Sequence, residues 1–284
     1  MEITSSWAGN ASCVTTRILS PGTHPLEATR ETDFGRPINK VPEVTLVFWI
    51  LKILATTVGE TAADVLSTTF KLGTVRTSYV MGALLLISLG FQFRAKRFVP
   101  AVYWVVVVFI SVVGTLISDN LVDNLGVPLT TTSLIFAIAL IAVFVFWYLS
   151  ERTLSVHTIF TARRELFYWA AILFTFSLGT SAGDLLSERL GLGYALSGVM
   201  FGAAIAIIYA TYRFGLMNEV LAFWLAYILT RPLGASMGDL LTAAKDDGGL
   251  GIGTIPVSVV FLLIIVVLVV YLDRREKEKA PIHP

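Results

Sequence analysis

The sequence contains little charge, one cysteine and three histidines. Only 14% of its 284 residues are charged, about half the share of an average globular domain, and the net charge of +1 offers no basic surface for nucleic acid. The single Cys13 excludes an internal disulfide and a thiolate metal cluster. His24, His157 and His283 lie outside the apolar segments, which excludes a histidine metal site between spans. The absence of Walker and Rossmann motifs argues against ATP or NAD as a cofactor.

Long apolar runs account for the missing charge. Hydrophobic residues make up 55% of the chain, and the mean hydropathy is +0.77. A helix needs about 20 apolar residues to cross a bilayer, and eight segments qualify, at approximately 44–66, 76–93, 101–121, 128–149, 166–187, 193–212, 218–241 and 254–272. Helices are expected because unpaired backbone groups are costly in lipid. The sequence therefore predicts an all-α integral membrane protein with eight transmembrane helices, and it excludes a soluble enzyme and a disordered regulator.

Lysine and arginine are distributed unevenly between the loops. The two tails and the loops after even-numbered helices contain 15 of them, whereas the loops after odd-numbered helices contain 4; without the N-terminal tail the ratio is 11 to 4. Because positive residues favour the cytoplasmic side, both termini are predicted to be cytoplasmic, in a bacterial inner (plasma) membrane. Residues 1–40 lack the apolar core of a signal peptide. They and residues 274–284 are predicted to form cytoplasmic tails, the first of them flexible.

Four segments share one residue pattern. In each, an aromatic residue and Trp are followed by Gly ten residues after the Trp, and by Asp five residues after the Gly. These residues are Trp49, Gly59, Asp64; Trp104, Gly114, Asp119; Trp169, Gly179, Asp184; and Trp224, Gly234, Asp239. Each repeat has two spans, so all four should cross the membrane in the same direction. The pattern predicts a pseudo-symmetric bundle of four parallel two-helix repeats, with a first half at 41–160 and a second half at 161–273.

The iterated pattern resembles that of a known family. The likeness is strongest at residues 40–45 (KVPEVT) and 59–64 (GETAAD) and covers about residues 40–273. The sequence is similar there to a bacterial multi-pass membrane family with a four-fold repeat of unknown function, whose members are described as uncharacterised membrane-anchored proteins. The resemblance implies the eight-helix repeat fold, and it implies no substrate and no functional residues.

The repeated small and aromatic residues are interpreted structurally. Gly59, Gly114, Gly179 and Gly234 each form a small-xxx-small pair with the residue before the Asp. Such pairs allow helices to approach closely in membranes, so the odd helices should form the inner ring of contacts. The Trp residues lie near the predicted cytoplasmic ends, where an aromatic belt at the membrane interface explains them.

The four repeated Asp residues admit two interpretations. Ionisable side chains within spans are costly and by default mark an ion path or a proton relay. Alternatively, each Asp caps a helix end at the outer interface, where water lowers the cost. Oxygen-bearing side chains one or two turns earlier favour the first interpretation, because hard cations prefer such ligands. They are Glu60, Thr57, Thr115, Thr180 and Ser177. Asp123 and Glu188, which follow in the loops, are interpreted as solvated.

Two basic residues fall inside predicted spans. Arg231 lies eight residues before Asp239, or ~12 Å along a helix, and Lys52 lies twelve residues before Asp64, or ~18 Å. Both are candidates for a counter-ion or gate. The alternative is that the side chains extend to the cytoplasmic headgroups, and this interpretation is favoured for Lys52.

Together these patterns predict a transporter or channel for a small cation. The cation is a hard divalent metal such as Mn²⁺, Mg²⁺ or Ca²⁺, with a proton available for coupling. It would be bound by Asp64, Asp119, Asp184 and Asp239. The expected partners are the lipid bilayer and the cation, without nucleic acid or another cofactor, and a homo-oligomer is compatible with the sequence. The alternative is a non-transporting scaffold or assembly protein whose Asp residues cap helix ends. An enzyme is not expected, because an aspartyl protease needs two carboxylates that share a proton, whereas four equivalent Asp recur here.

Overall fold

The computed structural model describes residues 39–279, which form eight long helices. They are α1 (Leu46–Asp64), α2 (Thr74–Arg94), α3 (Pro100–Asp119), α4 (Leu129–Glu151), α5 (Ala162–Asp184), α6 (Gly193–Arg213), α7 (Glu219–Thr242) and α8 (Thr254–Lys279). All eight are long and apolar enough to cross a membrane, which confirms the predicted number of helices. The N-terminal tail predicted at 1–40 lies outside the described residues, apart from its last two. The predicted C-terminal tail begins inside α8, which remains helical to Lys279.

The odd helices form a closed ring. α1 packs against α3, α3 against α5, α5 against α7, and α7 against α1. α2, α4 and α6 each pack against the odd helix that follows in sequence, and α8 packs against α1. In the most apolar stretch of each odd helix 56–67% of the residues are buried, against 11–22% for each even helix. The odd helices therefore supply the core, and the even helices present their apolar side chains outward.

Local sequence fixes where each odd helix begins. The side chains of Thr45, Thr161 and Asn218 each accept a hydrogen bond from the backbone amide three residues later, at 3.3, 3.3 and 2.9 Å. Such caps satisfy amides that have no partner within the helix. α3 begins instead with Pro100, whose missing amide would have no partner in the first turn.

The four repeat glycines lie at the contacts between neighbouring odd helices. A Cβ atom at any of them would overlap a side chain of the next odd helix around the ring. The pairs are Gly59 with Ser111, Gly114 with Phe176, Gly179 with Arg231, and Gly234 with Thr56. At Gly114 the added Cβ would lie 2.5 Å from Phe176 Cβ and 3.2 Å from the amide nitrogen of Ser177. The absence of a side chain at these positions sets the close spacing of the ring.

Three odd helices change their geometry directly after the repeated Asp. Segments Val65–Thr69, Asn120–Asn124 and Leu185–Arg189 continue α1, α3 and α5 as π-helical turns. In the fourth repeat, α7 remains α-helical to Thr242. The wider π turn changes the direction of the side chains that follow, so the fourth repeat differs from the others at this end of the ring.

Candidate functional site

A cavity of about 480 Å³ lies where the odd helices end and the even helices begin. Every repeat contributes its Asp to the lining, namely Asp64, Asp119, Asp184 and Asp239. All four side chains are half-buried. Because all four odd helices bring the same end to this cavity, equivalent residues meet around its axis.

Residues four positions after each Asp form a second layer of the lining. They are Thr68, Asp123, Glu188 and Ala243. Asp123 and Glu188 are exposed, as expected for solvated residues, but they also face the cavity. The sequence signal was their spacing, because residues four apart lie on one side of a helix. Tyr194, from α6, donates a hydrogen bond of 3.5 Å to Glu188.

Among residues 39–279, seven side chains with carboxyl groups line the cavity and no Lys, Arg or His does. The seventh belongs to Glu60, which is 7% exposed. No side-chain hydrogen bond from Asp64, Asp119 or Asp184 caps the π-helical turn that follows it. Within residues 39–279, no group of three or more His, Cys, Asp or Glu side chains is arranged to hold a metal ion directly. The cavity is thus wide and acidic, and it does not contain a compact set of metal ligands.

Arg231 closes the inner end of the cavity. Its side chain is fully buried, and it extends from α7 across the axis to the other three odd helices. Nη2 lies 2.6 Å from Glu60 Oε2 on α1 and 2.7 Å from Thr180 Oγ1 on α5, and it also contacts Thr115 Oγ1 on α3. Nη1 donates to the carbonyl oxygen of Thr56 at 3.1 Å. Arg231 is therefore the counter-ion of Glu60, and it joins all four odd helices.

The remaining oxygen-bearing residues of the predicted path have different positions. Thr115 and Thr180 lie below the cavity and bind Arg231, while their hydroxyls also donate to backbone carbonyls of their own helices. Thr57 donates to the carbonyl oxygen of Gly234 at 3.1 Å, within the contact between α1 and α7. Ser177 is buried, and its hydroxyl has no hydrogen-bond partner among the described residues. Thr57 and Ser177 therefore do not line the cavity.

Lys52 points into the bundle, and the favoured prediction that it extends to the headgroups is wrong. The side chain is fully buried, and Nζ lies 3.9 Å from the ring centre of Phe176 and 4.1 Å from that of Tyr227. The guanidinium of Arg231 lies 5.7 Å from the same Phe176 ring. Close packing of the aromatic rings around α1 leaves the lysine no route to the surface.

The end of the ring opposite the cavity is filled with aromatic side chains. Trp104, Trp169 and Trp224 are at most 4% exposed, so these three do not form the predicted interface belt. Rings from neighbouring odd helices contact one another across the ring, as in the pair Tyr103 and Trp169, whose centroids lie 5.4 Å apart. The helices approach closely enough here to bury indole rings, which closes this end of the axis.

The arrangement combines an acidic chamber with a sealed inner end. Seven carboxyl groups favour cations over anions by simple electrostatics. A cation that reached the opposite end of the axis would have to pass Arg231, then Lys52 between its two rings, and then the aromatic layer. The acidic cavity is therefore closed at its inner end by Arg231, Lys52 and the aromatic layer.

Comparison with known protein families identifies the repeat. Four segments of the chain match the family model described as "Repeat of Unknown Function (DUF347)", at residues 47–98, 102–153, 167–214 and 222–278. Each segment contains one copy of the pattern of Trp, Gly and Asp, which confirms the resemblance to a four-fold repeat family. No curated protein and no solved structure matches the chain.

Proposed function

The chain belongs to the DUF347 repeat family, and on this premise we propose that it is a membrane transporter or channel for a small, hard cation. One observation carries the proposal: in the described part of the chain, seven carboxyl groups, four of them from the repeat, line a single cavity and no basic residue joins them. The cationic group that contacts the lining residue Glu60 is Arg231, which is fully buried and paired with it. The proposal assigns no enzymatic activity and no cofactor besides the transported cation.

The proposed setting is a bacterial inner membrane crossed by four parallel two-helix repeats. The apolar surface of the even helices supports insertion, since such large exposed apolar areas are rare on soluble monomers. The excess of Lys and Arg in the tails and in the loops after even helices supports cytoplasmic termini. In this orientation the acidic cavity opens to the outside, and the aromatic layer faces the cytoplasm.

The size of the cavity favours a cation that keeps part of its water shell. A water molecule occupies about 30 Å³, so six waters around one ion need roughly 180 Å³, which fits within the cavity of about 480 Å³. Carboxyl groups that are too far apart to bind an ion together can still bind its waters. Mg²⁺ sheds water reluctantly, and it is the first candidate, with Mn²⁺ and Ca²⁺ as alternatives.

Flux into liposomes tests the proposal. Wild-type protein is reconstituted around an entrapped metal-sensitive dye, and Mg²⁺, Mn²⁺ or Ca²⁺ is added outside. The double variant Asp64→Asn/Asp184→Asn should lower the initial rate at least tenfold, because each charge at about 10 Å contributes roughly 1–2 kcal/mol at an effective dielectric constant of 20. The matched control is Asp246→Asn/Asp247→Asn, which removes two exposed loop carboxylates that do not line the cavity.

The outcome also distinguishes the scaffold alternative. A transporter loses flux in the cavity variant while its thermal stability stays near that of the wild type. A scaffold shows no flux with any of the three ions, and its Asp residues matter for stability alone. The lack of side-chain capping by Asp64, Asp119 and Asp184 supports the transporter.

A further inference from the structure

Lys52 is a buried amine that the acidic cavity does not explain. Its Nζ atom has no hydrogen-bond partner among the described residues, and its contacts are the rings of Phe176 and Tyr227. A desolvated cation and an aromatic ring attract each other only moderately, whereas burial of an ammonium without a carboxylate is far more costly. The surroundings of Lys52 thus tolerate its charge without compensating it.

The charged groups around Lys52 increase this imbalance. Arg231, on α7, is a second buried basic side chain, and its guanidinium lies against the same Phe176 ring as Lys52 Nζ. Among the described residues, the carboxylate paired with Arg231 is that of Glu60, so this carboxylate does not compensate Lys52. The other ionisable groups in this half of the ring include the buried hydroxyls of Tyr103, Tyr168 and Tyr227. They also include Glu165, at the start of α5, whose carboxylate is paired with Lys40 at 2.7 Å. α8 has no ionisable residue in its first seventeen positions.

The repeat shows that the amine is a departure from the pattern. The positions equivalent to Lys52, twelve residues before each Asp, hold Val107, Ile172 and Tyr227, and all three are fully buried. A hydrocarbon or aromatic side chain therefore serves packing at this level. An amine is not needed to fill the space, which indicates that its chemistry has a use of its own.

We propose that Lys52 carries the proton that is exchanged for the transported cation. This inference rests on the proposed function. With the cavity empty, Nζ is protonated; with a cation bound near Glu60, Nζ is the neutral amine. The step is one proton transfer, from Nζ to a water admitted when the Arg231 contact opens, and the bound cation replaces the positive charge that leaves. A charged Lys52 thus weakens binding of the cation, and a bound cation favours the neutral amine.

The distance between the two sites sets the size of the effect. Glu60 and Asp64 follow Lys52 by eight and twelve residues on one helix, or ~12 and ~18 Å. At an effective dielectric constant of about 20, two unit charges at these separations repel enough to change an affinity about five- to tenfold. A divalent ion would increase the factor.

Two substitutions of Lys52 reproduce its neutral and its charged state. Lys52→Met is permanently neutral and should bind the cation about five to ten times more tightly than Lys52→Arg, which is permanently charged. The cation affinity of the wild type should equal that of the Arg variant at low pH and that of the Met variant at high pH. Titration of the cavity carboxyls affects the affinity of all three proteins alike. Apparent affinity is read from thermal stabilisation of the detergent-purified protein by Mg²⁺ or Mn²⁺.

The control is Lys277→Met, which removes the same charge from a side chain that is 75% exposed; its affinity should equal that of the wild type. Lys52→Gln replaces the Met variant if methionine prevents folding. In liposomes, Lys52→Met should retain exchange of cation for cation but lose uptake driven by a pH gradient.

Three results separate the possible failures. Equal affinities in the Met and Arg variants, or a wild type that follows the Arg variant at every pH, overturn the inference and leave the proposed function intact. A wild type whose stability responds to no cation overturns both.

Discussion

Removal of Glu60 is expected to cost more unfolding free energy than removal of its ion-pair partner Arg231. Arg231 is 0% exposed, whereas the Glu60 side chain is 10% exposed and faces the cavity. Glu60→Gln leaves a sealed guanidinium without a carboxylate, which costs about 3–5 kcal/mol of unfolding free energy. Arg231→Met leaves a carboxylate that water in the cavity can reach, so the cost falls to about 1–3 kcal/mol, the range for lost hydrogen bonds.

The double variant makes this reasoning testable. Glu60→Gln/Arg231→Met removes both charges, so its cost should remain near that of Arg231→Met alone. The coupling energy then equals the cost of Glu60→Gln, about 3–5 kcal/mol. Unfolding in mixed micelles, followed by tryptophan fluorescence, measures all three variants. Glu188→Gln is the control, because Glu188 is an exposed carboxyl at the rim, and its effect should stay within about 0.5 kcal/mol. Additive costs, or a larger loss for Arg231→Met than for Glu60→Gln, would refute the asymmetry.

The remaining predictions concern packing and the end of the ring opposite the cavity, and the same unfolding measurement checks each. Gly114→Ala should cost about 1–3 kcal/mol by overpacking, whereas Gly90→Ala, which meets open space, should be neutral or stabilising by up to about 1 kcal/mol. Glu165→Gln removes the carboxylate that pairs with Lys40 at 2.7 Å and should cost roughly 3 kcal/mol. Trp224→Phe removes the indole hydrogen bond to the loop before α5 and should cost about 1 kcal/mol; no change would show that the bond contributes nothing.

The helices and the convergence of the repeated Asp residues follow from the sequence. Apolar runs of the length of a membrane span specify eight helices, and a residue that recurs at one place in each repeat must recur at one level of the bundle. The sequence did not show which odd helix each even helix packs against. The connection from α1 to α2 and that from α2 to α3 are both short, so loop length could not show that α2 packs mainly against α3.

The inward orientation of Lys52 could be predicted from the equivalent positions of the repeat, but not from the residue type alone. A lysine near a helix end suggests an extended side chain that reaches the headgroups. The equivalent Val107, Ile172 and Tyr227 indicate instead a position that points inward. The contacts of Arg231 could not be predicted in this way, because they depend on how a long side chain crosses the axis to three other helices.

The charged groups lie where the first and last repeats meet. Lys52 and Glu60 belong to α1, and Arg231 belongs to α7, the helix that closes the ring against α1. Glu60 lies four residues before the repeated Asp of its helix, and the equivalent positions in the second half of the chain hold Thr180 and Ala235. The half that contains Arg231 therefore has no carboxylate at this level. The first half holds Glu60 but has Thr56 and Ser111 at the level of Arg231. The inner end of the cavity is therefore completed only when both halves assemble into one ring, and neither half can form it alone.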